Sequence, residues 1–204
     1  EVPESFYTDP LMYQGVGAGF YGPREPVKVV SEDYGIDLEA EIVVVTDDVP
    51  MAVGAAQAAH YIQLIGLIND VSLRNLIPDE LAKGFGFLQS KPRSALSPVF
   101  INGKHFGAPE AGVDMQFSFA ELVAHAAKTR PLSAGTIVGS GTIANQDESK
   151  GASCLAERRT LEVLAHGKAQ TPFLRFGDTV RIEMFDAAGA SIFGAIEQRV
   201  VPYR

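Results

Sequence analysis

The sequence is short of the residues that staple or anchor a fold. One cysteine, Cys154, stands among 204 residues. That excludes an internal disulfide framework and any zinc site built from several thiolates. With no histidine near it in sequence, Cys154 reads as a small buried hydrophobe rather than a nucleophile. Tryptophan is absent. Positive charge is in deficit, with 17 Lys and Arg against 25 Asp and Glu, a formal net charge of −8. Such a chain is poorly suited to nucleic-acid phosphates or anionic membrane surfaces. The longest apolar stretch, Met51 to Ile68, is broken by Gln57, His60 and Gln63, too mixed for a membrane span. The opening Glu1-Val2-Pro3-Glu4 has neither the basic start nor the apolar run of a signal peptide, and no initiator methionine. These features lead to the expectation of a soluble, cytoplasmic protein that is processed or truncated at its start.

What is present suits a globular chain. Hydrophobic residues make up 46% and charged residues 21%, enough for one sizeable core or at most two small ones. No internal repeat or low-complexity linker divides it. Residues 1–30 are rich in Gly, Pro and Tyr and read as loops with short extended pieces. Leu38 to Thr46 (LEAEIVVVT) is β-branched and begins with alternation, so it is predicted as a strand. A helix is predicted from Pro50 to about Tyr61. A buried strand is predicted from Ile62 to Val71, where periodicity alone does not exclude a helix, with a short helix over Pro78 to Lys83 and an amphipathic helix over Phe117 to Lys128. Strands follow at Thr136 to Val138, Thr179 to Phe185 and Ser191 to Val201, the last two joined by an Asp186-Ala187-Ala188-Gly189 turn. Few helices and many non-local strands predict a β-rich α+β fold, not a Rossmann sheet.

Glu39 and Glu41 are the first chemical signal. Residues two apart on a strand project to one side, so two carboxylates stand together at the head of an apolar strand. Like charges this close repel unless a cation or proton sits between them. A hard divalent ion with oxygen ligands meets that need, and a solvated sheet edge is the alternative. Asp70 closes the apolar run ending in Ile68-Asn69, where it could serve a site or simply cap a turn. Arg74, four residues on, could pair with Asp70 or hold a substrate carboxylate with its planar fork. Lys91, in Gln89-Ser90-Lys91-Pro92, could offset an oxyanion or enolate, or be a solvated loop lysine. Gly15-Val16-Gly17-Ala18-Gly19 lacks the strand and helix of a dinucleotide loop, and Gly139-Ser140-Gly141 is not a nucleophile elbow. The four histidines show no metal-ligand spacing.

Taken in order, Asp9, Glu39-Ala40-Glu41, Asn69-Asp70-Val71-Ser72-Leu73-Arg74, Gln89-Ser90-Lys91-Pro92 and Gly139-Ser140-Gly141-Thr142-Ile143 resemble the fumarylacetoacetate hydrolase family over nearly the whole chain. Lys128 to Ile143 and Ser153 to Thr160 resemble bacterial members. The resemblance implies a mixed β-sandwich roll as a single catalytic domain over residues 1–204, assembled as a homodimer. It implies a divalent cation, Mg²⁺ first with Ca²⁺ or Mn²⁺ as alternatives, held by Asp9, Glu39, Glu41 and Asp70. Lys91 would offset an enolate. Arg74 and Gln89 would contact substrate oxygens, with Tyr13 and Thr142 also lining the substrate. Glu157 would match the glutamate of a water-activating pair. The implied substrate is a small 1,3-dicarbonyl or 2-oxo acid, cleaved at a C–C bond. Decarboxylation, hydration or isomerisation on the same site is the alternative, and a catalytically silent metal-binding scaffold is the alternative of another class. The seventh residue after Asp9, histidine in the animal hydrolase, is here Val16. An N-terminal region of the relatives is expected to be absent, as is a stretch between Pro98 and Ile101.

Overall fold

The computed structural model describes residues 3–15, 17, 19–95, 100–101 and 104–203. Val16, and Pro98 and Val99 of the expected deletion, lie outside the described residues. The chain separates into two compact units. One comprises Glu1–Gln14, Ile42–Gly66 and Ala111–Ser140, and the other Gly15–Glu41, Leu67–Glu110 and Gly141–Arg204.

The second unit is built on a five-stranded sheet. Its strands are β1 (Val27–Val29), β6 (Phe100–Ile101), β7 (Lys104–His105), β9 (Thr179–Phe185) and β10 (Ser191–Pro202), in the order β1-β10-β9-β6-β7. β9 and β10 form an antiparallel hairpin, as the sequence predicts. Its turn is closed by Asp186, whose carboxylate accepts from Ala188 N and Ala190 N. β1 returns parallel to β10. A smaller pair, β2 (Ile36–Asp37) and β5 (Ser72–Leu73), is antiparallel. Val27, Val29, Ile36, Leu38, Val180, Ile182 and Val200 pack in the core of this unit. Each such side chain, when fully buried, contributes about 1.5–3 kcal/mol.

The helix α4 (Leu155–His166) belongs to the second unit and has no counterpart among the elements predicted from the sequence. Leu155 is its one buried residue, so no continuous apolar stripe marks it. Its N-terminus is held from outside, where Asp37 Oδ1 accepts from Leu155 N at 2.7 Å and Asp37 Oδ2 from Ala156 N at 2.9 Å. Gly167 ends it in the left-handed region at φ 76°.

The first unit holds most of a three-stranded sheet, together with helices. β3 (Ala40–Thr46) lies between β4 (Ile62–Asn69) and β8 (Ile137–Gly139), with Val43 opposite Gly139 and Val45 opposite Ile137. Val44, Val49, Ala58, Leu122, Val123, Ala127 and Val138 form its core. The helix α3 (Phe119–Ala126) starts on a capping box made by Ser118 and Glu121. The helix expected from Pro50 begins later: Met51 and Ala52 form a turn, Ala52 has φ 60°, and α1 covers only Ala55–Ala58 before a 3₁₀ turn to Tyr61. The short helix expected over Pro78 to Lys83 is found as α2 (Ile77–Leu81), with Pro78 in its first turn.

Candidate metal centre

The end of β4 and the residues leading into β3 are stitched together by their backbones. Asp70 N donates to Glu39 O at 2.9 Å, and Glu39 N to Asn69 Oδ1 at 3.2 Å. Asn69 Nδ2 donates in turn to Gln198 Oε1, and Gln198 Nε2 to Glu25 O. Asn69 and Gln198 are each 1% exposed, so this network fixes the two acidic segments from within. On the other flank, Ala40 N donates to Ser153 O, and Glu39 bridges to Cys154. That strand-like segment lies close because Gly107 and Gly151 pair. A Cβ on Gly107 would meet Ala152 O at 2.3 Å.

These constraints bring three carboxylates together. Among the described residues, Glu39, Glu41 and Asp70 present ligand atoms within 4.8 Å of one another. They are 6%, 6% and 8% exposed, which excludes the solvated sheet edge as their setting. Lys91 is equally hidden, so it is no solvated loop lysine. Its Nζ lies 2.5 Å from Glu39 Oε2 and 2.8 Å from Asp70 Oδ2. Arg74 Nη2 lies 2.6 Å from Glu39 Oε1, and its Nε lies 2.8 Å from Asp37 Oδ2. Ser94 Oγ donates to Asp70 Oδ1 at 2.6 Å.

The charge balance of the cluster is acidic. Asp37, Glu39, Glu41 and Asp70 face Lys91 and Arg74, so full ionisation leaves a surplus of two negative charges out of water. Burial, followed by the charges of Asp70 and Glu39, holds the Glu41 carboxyl well above its ordinary range. Burial likewise raises Asp37, against the guanidinium of Arg74. For Lys91, burial disfavours the ammonium but the carboxylates of Glu39 and Asp70 outweigh it, and its pKa is raised. Burial and then the Asp37 charge push the Cys154 thiol up to about 12, as suits an inert thiol. A buried surplus of two negative charges, on hard oxygen donors, fits one divalent cation of the Mg²⁺, Mn²⁺ or Ca²⁺ kind.

The chain belongs to the fumarylacetoacetate hydrolase family. The model of the fumarylacetoacetate (FAA) hydrolase C-terminal region matches residues 1–112 and 99–201. Solved structures share the fold. The 5-carboxymethyl-2-hydroxymuconate delta-isomerase of Mycobacterium smegmatis has a TM-score of 0.69 at 19% identity, covering 96% of this chain and 70% of that one. The 2-hydroxyhepta-2,4-diene-1,7-dioate isomerase of Mycobacterium marinum gives 0.69 at 18%, covering 95% and 69%. The fumarylpyruvate hydrolase of Pseudomonas aeruginosa, solved with Mn²⁺ and pyruvate, gives 0.61 at 16%, covering 88% and 72%. No curated protein matches. The β-rich α+β fold expected from the sequence is the fold of this family's C-terminal domain.

Of the remaining family positions, Thr142 is half-buried and precedes Ile143, whose N donates to Ala40 O between the two glutamates. Glu157 is half-buried in the first turn of α4. It accepts from Ser153 N at 3.2 Å, and burial raises its pKa. Gln89 has an exposed side chain on the loop before Lys91. Asp9 and Tyr13 lie in the first unit and are exposed. There the Asp9 carboxylate sits 3.6 Å from His125 Nδ1.

Sequence reasoning missed Asp37, Ser94, Gln198 and Glu80. Asp37 carries a partial signal, since it extends the alternation of Glu39 and Glu41 by one step. Glu80 carries none. Its carboxylate accepts from Phe87 N, Leu88 N, Gln89 N and Ser90 N at 2.7–3.2 Å, and from the Ser90 hydroxyl. The Ser90 hydroxyl and then the Gln89 amide hold its pKa down to about 2. A groove of about 480 Å³ beside this loop is lined by Tyr21, Lys28, Leu88, Lys91, Arg93 and Tyr203, among others.

Proposed function

We propose that this protein is a divalent-metal-dependent hydrolase of a carbon–carbon bond in an acylpyruvate-like or fumarylacetoacetate-like 1,3-dicarbonyl or 2-oxo acid. The observation that carries this reading is the buried cluster of three carboxylates, Glu39, Glu41 and Asp70, with Lys91 seated between Glu39 and Asp70. Those three residues hold the ion, and the family resemblance assigns a fourth ligand to Asp9. Mg²⁺ is the first choice, with Mn²⁺ and Ca²⁺ accepting the same oxygens. When bound, the ion acts as a Lewis acid on the substrate's paired carbonyl oxygens.

The chain's own groups supply the rest. Lys91 offsets negative charge as it develops on the substrate. Arg74, oriented by Asp37, braces Glu39 and offers its fork to a substrate carboxylate. Gln89, Thr142 and Tyr13 contact substrate oxygens. Lys28 and Arg93, in the groove beside Lys91, give an anionic substrate a favourable approach. Glu157, its carboxyl raised by burial, accepts the proton of the attacking water. The water oxygen joins the distal acyl carbon and the C–C bond breaks. Its electron pair passes into the enolate of the 2-oxo acid, which takes the proton from Glu157 onto carbon. A cytoplasmic homodimer is the expected form.

Isomerisation of a 2-oxo acid at the same centre is the second reading. It is favoured by Val16, which stands where the hydrolase pattern has a water-activating histidine. Incubating the Mn²⁺- or Mg²⁺-loaded protein with acylpyruvates, oxaloacetate and unsaturated 2-oxo dicarboxylates separates the readings. Release of a 2-oxo acid plus a carboxylic acid is expected. Double-bond migration without cleavage replaces hydrolysis by isomerisation. Ion binding with no turnover of any such compound leaves a silent scaffold.

A further inference from the structure

Arg74 and Lys91 both issue from one closed loop. Leu73 N donates to Ser90 O at 2.7 Å, so the chain between them leaves and returns at a single point. The enclosed segment carries a 3₁₀ turn at Arg74–Leu76 and then α2, and it is tied together by its own groups. At its centre stands the Glu80 carboxylate, on α2. Oε1 accepts from Leu88 N at 3.1 Å and Gln89 N at 2.7 Å. Oε2 accepts from Phe87 N at 3.0 Å, Ser90 N at 3.2 Å and the Ser90 hydroxyl. Four successive N–H groups aimed at one point form an anion-binding concavity, here filled from within the chain. Phe87 takes φ 66° to do this, a conformation that non-glycine residues seldom adopt. The next residue after the wrapped segment is Lys91.

We propose that Glu80 is a positioning residue that acts through Lys91. Its carboxylate fixes the backbone of Phe87–Ser90 and thereby seats the Lys91 ammonium between Glu39 and Asp70. An ionised carboxylate is acceptor-only, with about four lone-pair sites, and so answers every donor pointed at it. A glutamine has a single acceptor oxygen and would turn an amino group toward N–H groups. Glu80→Gln is therefore a severe change here, although it preserves size. The catalytic importance of Lys91 rests on the proposed function, whereas its placement by Glu80 does not.

The test is the Lys91 ammonium signal in ¹⁵N-lysine NMR spectra of the metal-free full chain, assigned by its loss in Lys91→Arg. In the wild type a buried, doubly paired ammonium is expected to give a slowly exchanging peak. Glu80→Gln is expected to lose or broaden that peak, and Ser90→Ala, which deletes one donor, to shift it less. A folded Glu80→Gln protein with an unchanged Lys91 peak overturns the proposal, and so does a wild type without the peak. If Glu80→Gln fails to fold, an unchanged peak in folded Ser90→Ala overturns it. On any substrate the wild type turns over, Glu80→Gln is expected to lower kcat about 10- to 100-fold. It is expected to add nothing in a Lys91→Arg background, and additive losses overturn the proposal. If no substrate is turned over, the proposed function fails while the NMR result still decides the role of Glu80.

Discussion

Glu41 and Glu80 are the same side chain put to opposite use. Glu41 lies in a dry cluster beside two other acids, and burial with their charges holds its carboxyl above the ordinary range. Glu80 is only half-buried at the centre of its loop, and hydrogen bonds from the Ser90 hydroxyl, then the Gln89, Ser90 and Leu88 amides, hold its carboxyl at about 2. The first environment is short of positive charge and accommodates a cation. The second is complete in itself and serves as a clamp. Perturbed carboxylates thus mark a ligand site only when the perturbation leaves the charged form unsatisfied.

The largest expected effect comes from Asp37, which braces the acidic cluster from the side of α4. It caps that helix and orients Arg74 while wholly buried. Asp37→Ala leaves the Arg74 guanidinium to Glu39 alone and strands two helix N–H groups. A loss of about 3–5 kcal/mol in denaturant unfolding is expected, as for other broken buried pairs. A loss below about 1 kcal/mol would mean that the cluster is not held from that side.

Next in size, Glu41→Gln is expected to weaken Mn²⁺ binding at least about 100-fold, beyond what loss of a supporting residue costs. It separates the two glutamates by pH as well. The folded pKa of Glu41 is raised above 4.5, so its stabilising contribution is full below that value and is lost as pH rises through the folded pKa. Metal-free wild type should therefore lose stability relative to Glu41→Gln as pH climbs from 4.5, and saturating Mn²⁺ should cancel the difference. Glu80 has the opposite sign. Its contribution is present above 4.5 and is lost as pH falls toward about 2. Glu80→Gln should lower the melting temperature by a constant amount above pH 4.5 and flatten the acid limb, where the wild type loses the contribution in any case. Parallel profiles for the two variants would break the comparison.

The smallest effect concerns Cys154, which is buried beside Asp37 and Glu39. With its thiol pushed up to about 12, it should react with a disulfide reagent at about pH 8 only after denaturant is added. Rapid modification of the native protein would show that this flank of the cluster is open.

Much of the acidic cluster is legible in the amino-acid sequence. Glu39, Glu41 and Asp70 stand out because a strand's two-residue period and an acid closing an apolar run are local signals. The hairpin of β9 and β10 is legible in the same way, from alternation and an Asp-Ala-Ala-Gly turn. The balance of charge is not, since Arg74 meets Asp37 and Lys91 meets Glu39 through pairings 37 and 52 residues apart. Nor is α4, which is stabilised by a carboxylate distant in sequence and buries one side chain. Glu80 in Pro78-Asp79-Glu80-Leu81 looks like any acid in the first turn of a helix. Only the fold of the loop after it turns four amides toward its oxygens.

The central claim is that the Glu39, Glu41 and Asp70 cluster carries a divalent cation. Titrating Mn²⁺ into the metal-free protein, with free ion read by electron paramagnetic resonance, tests it most directly. One site per chain is expected, lost in Asp70→Asn and Glu41→Gln while both variants remain folded. Binding that is absent from the wild type, or unchanged in the two variants, would contradict it.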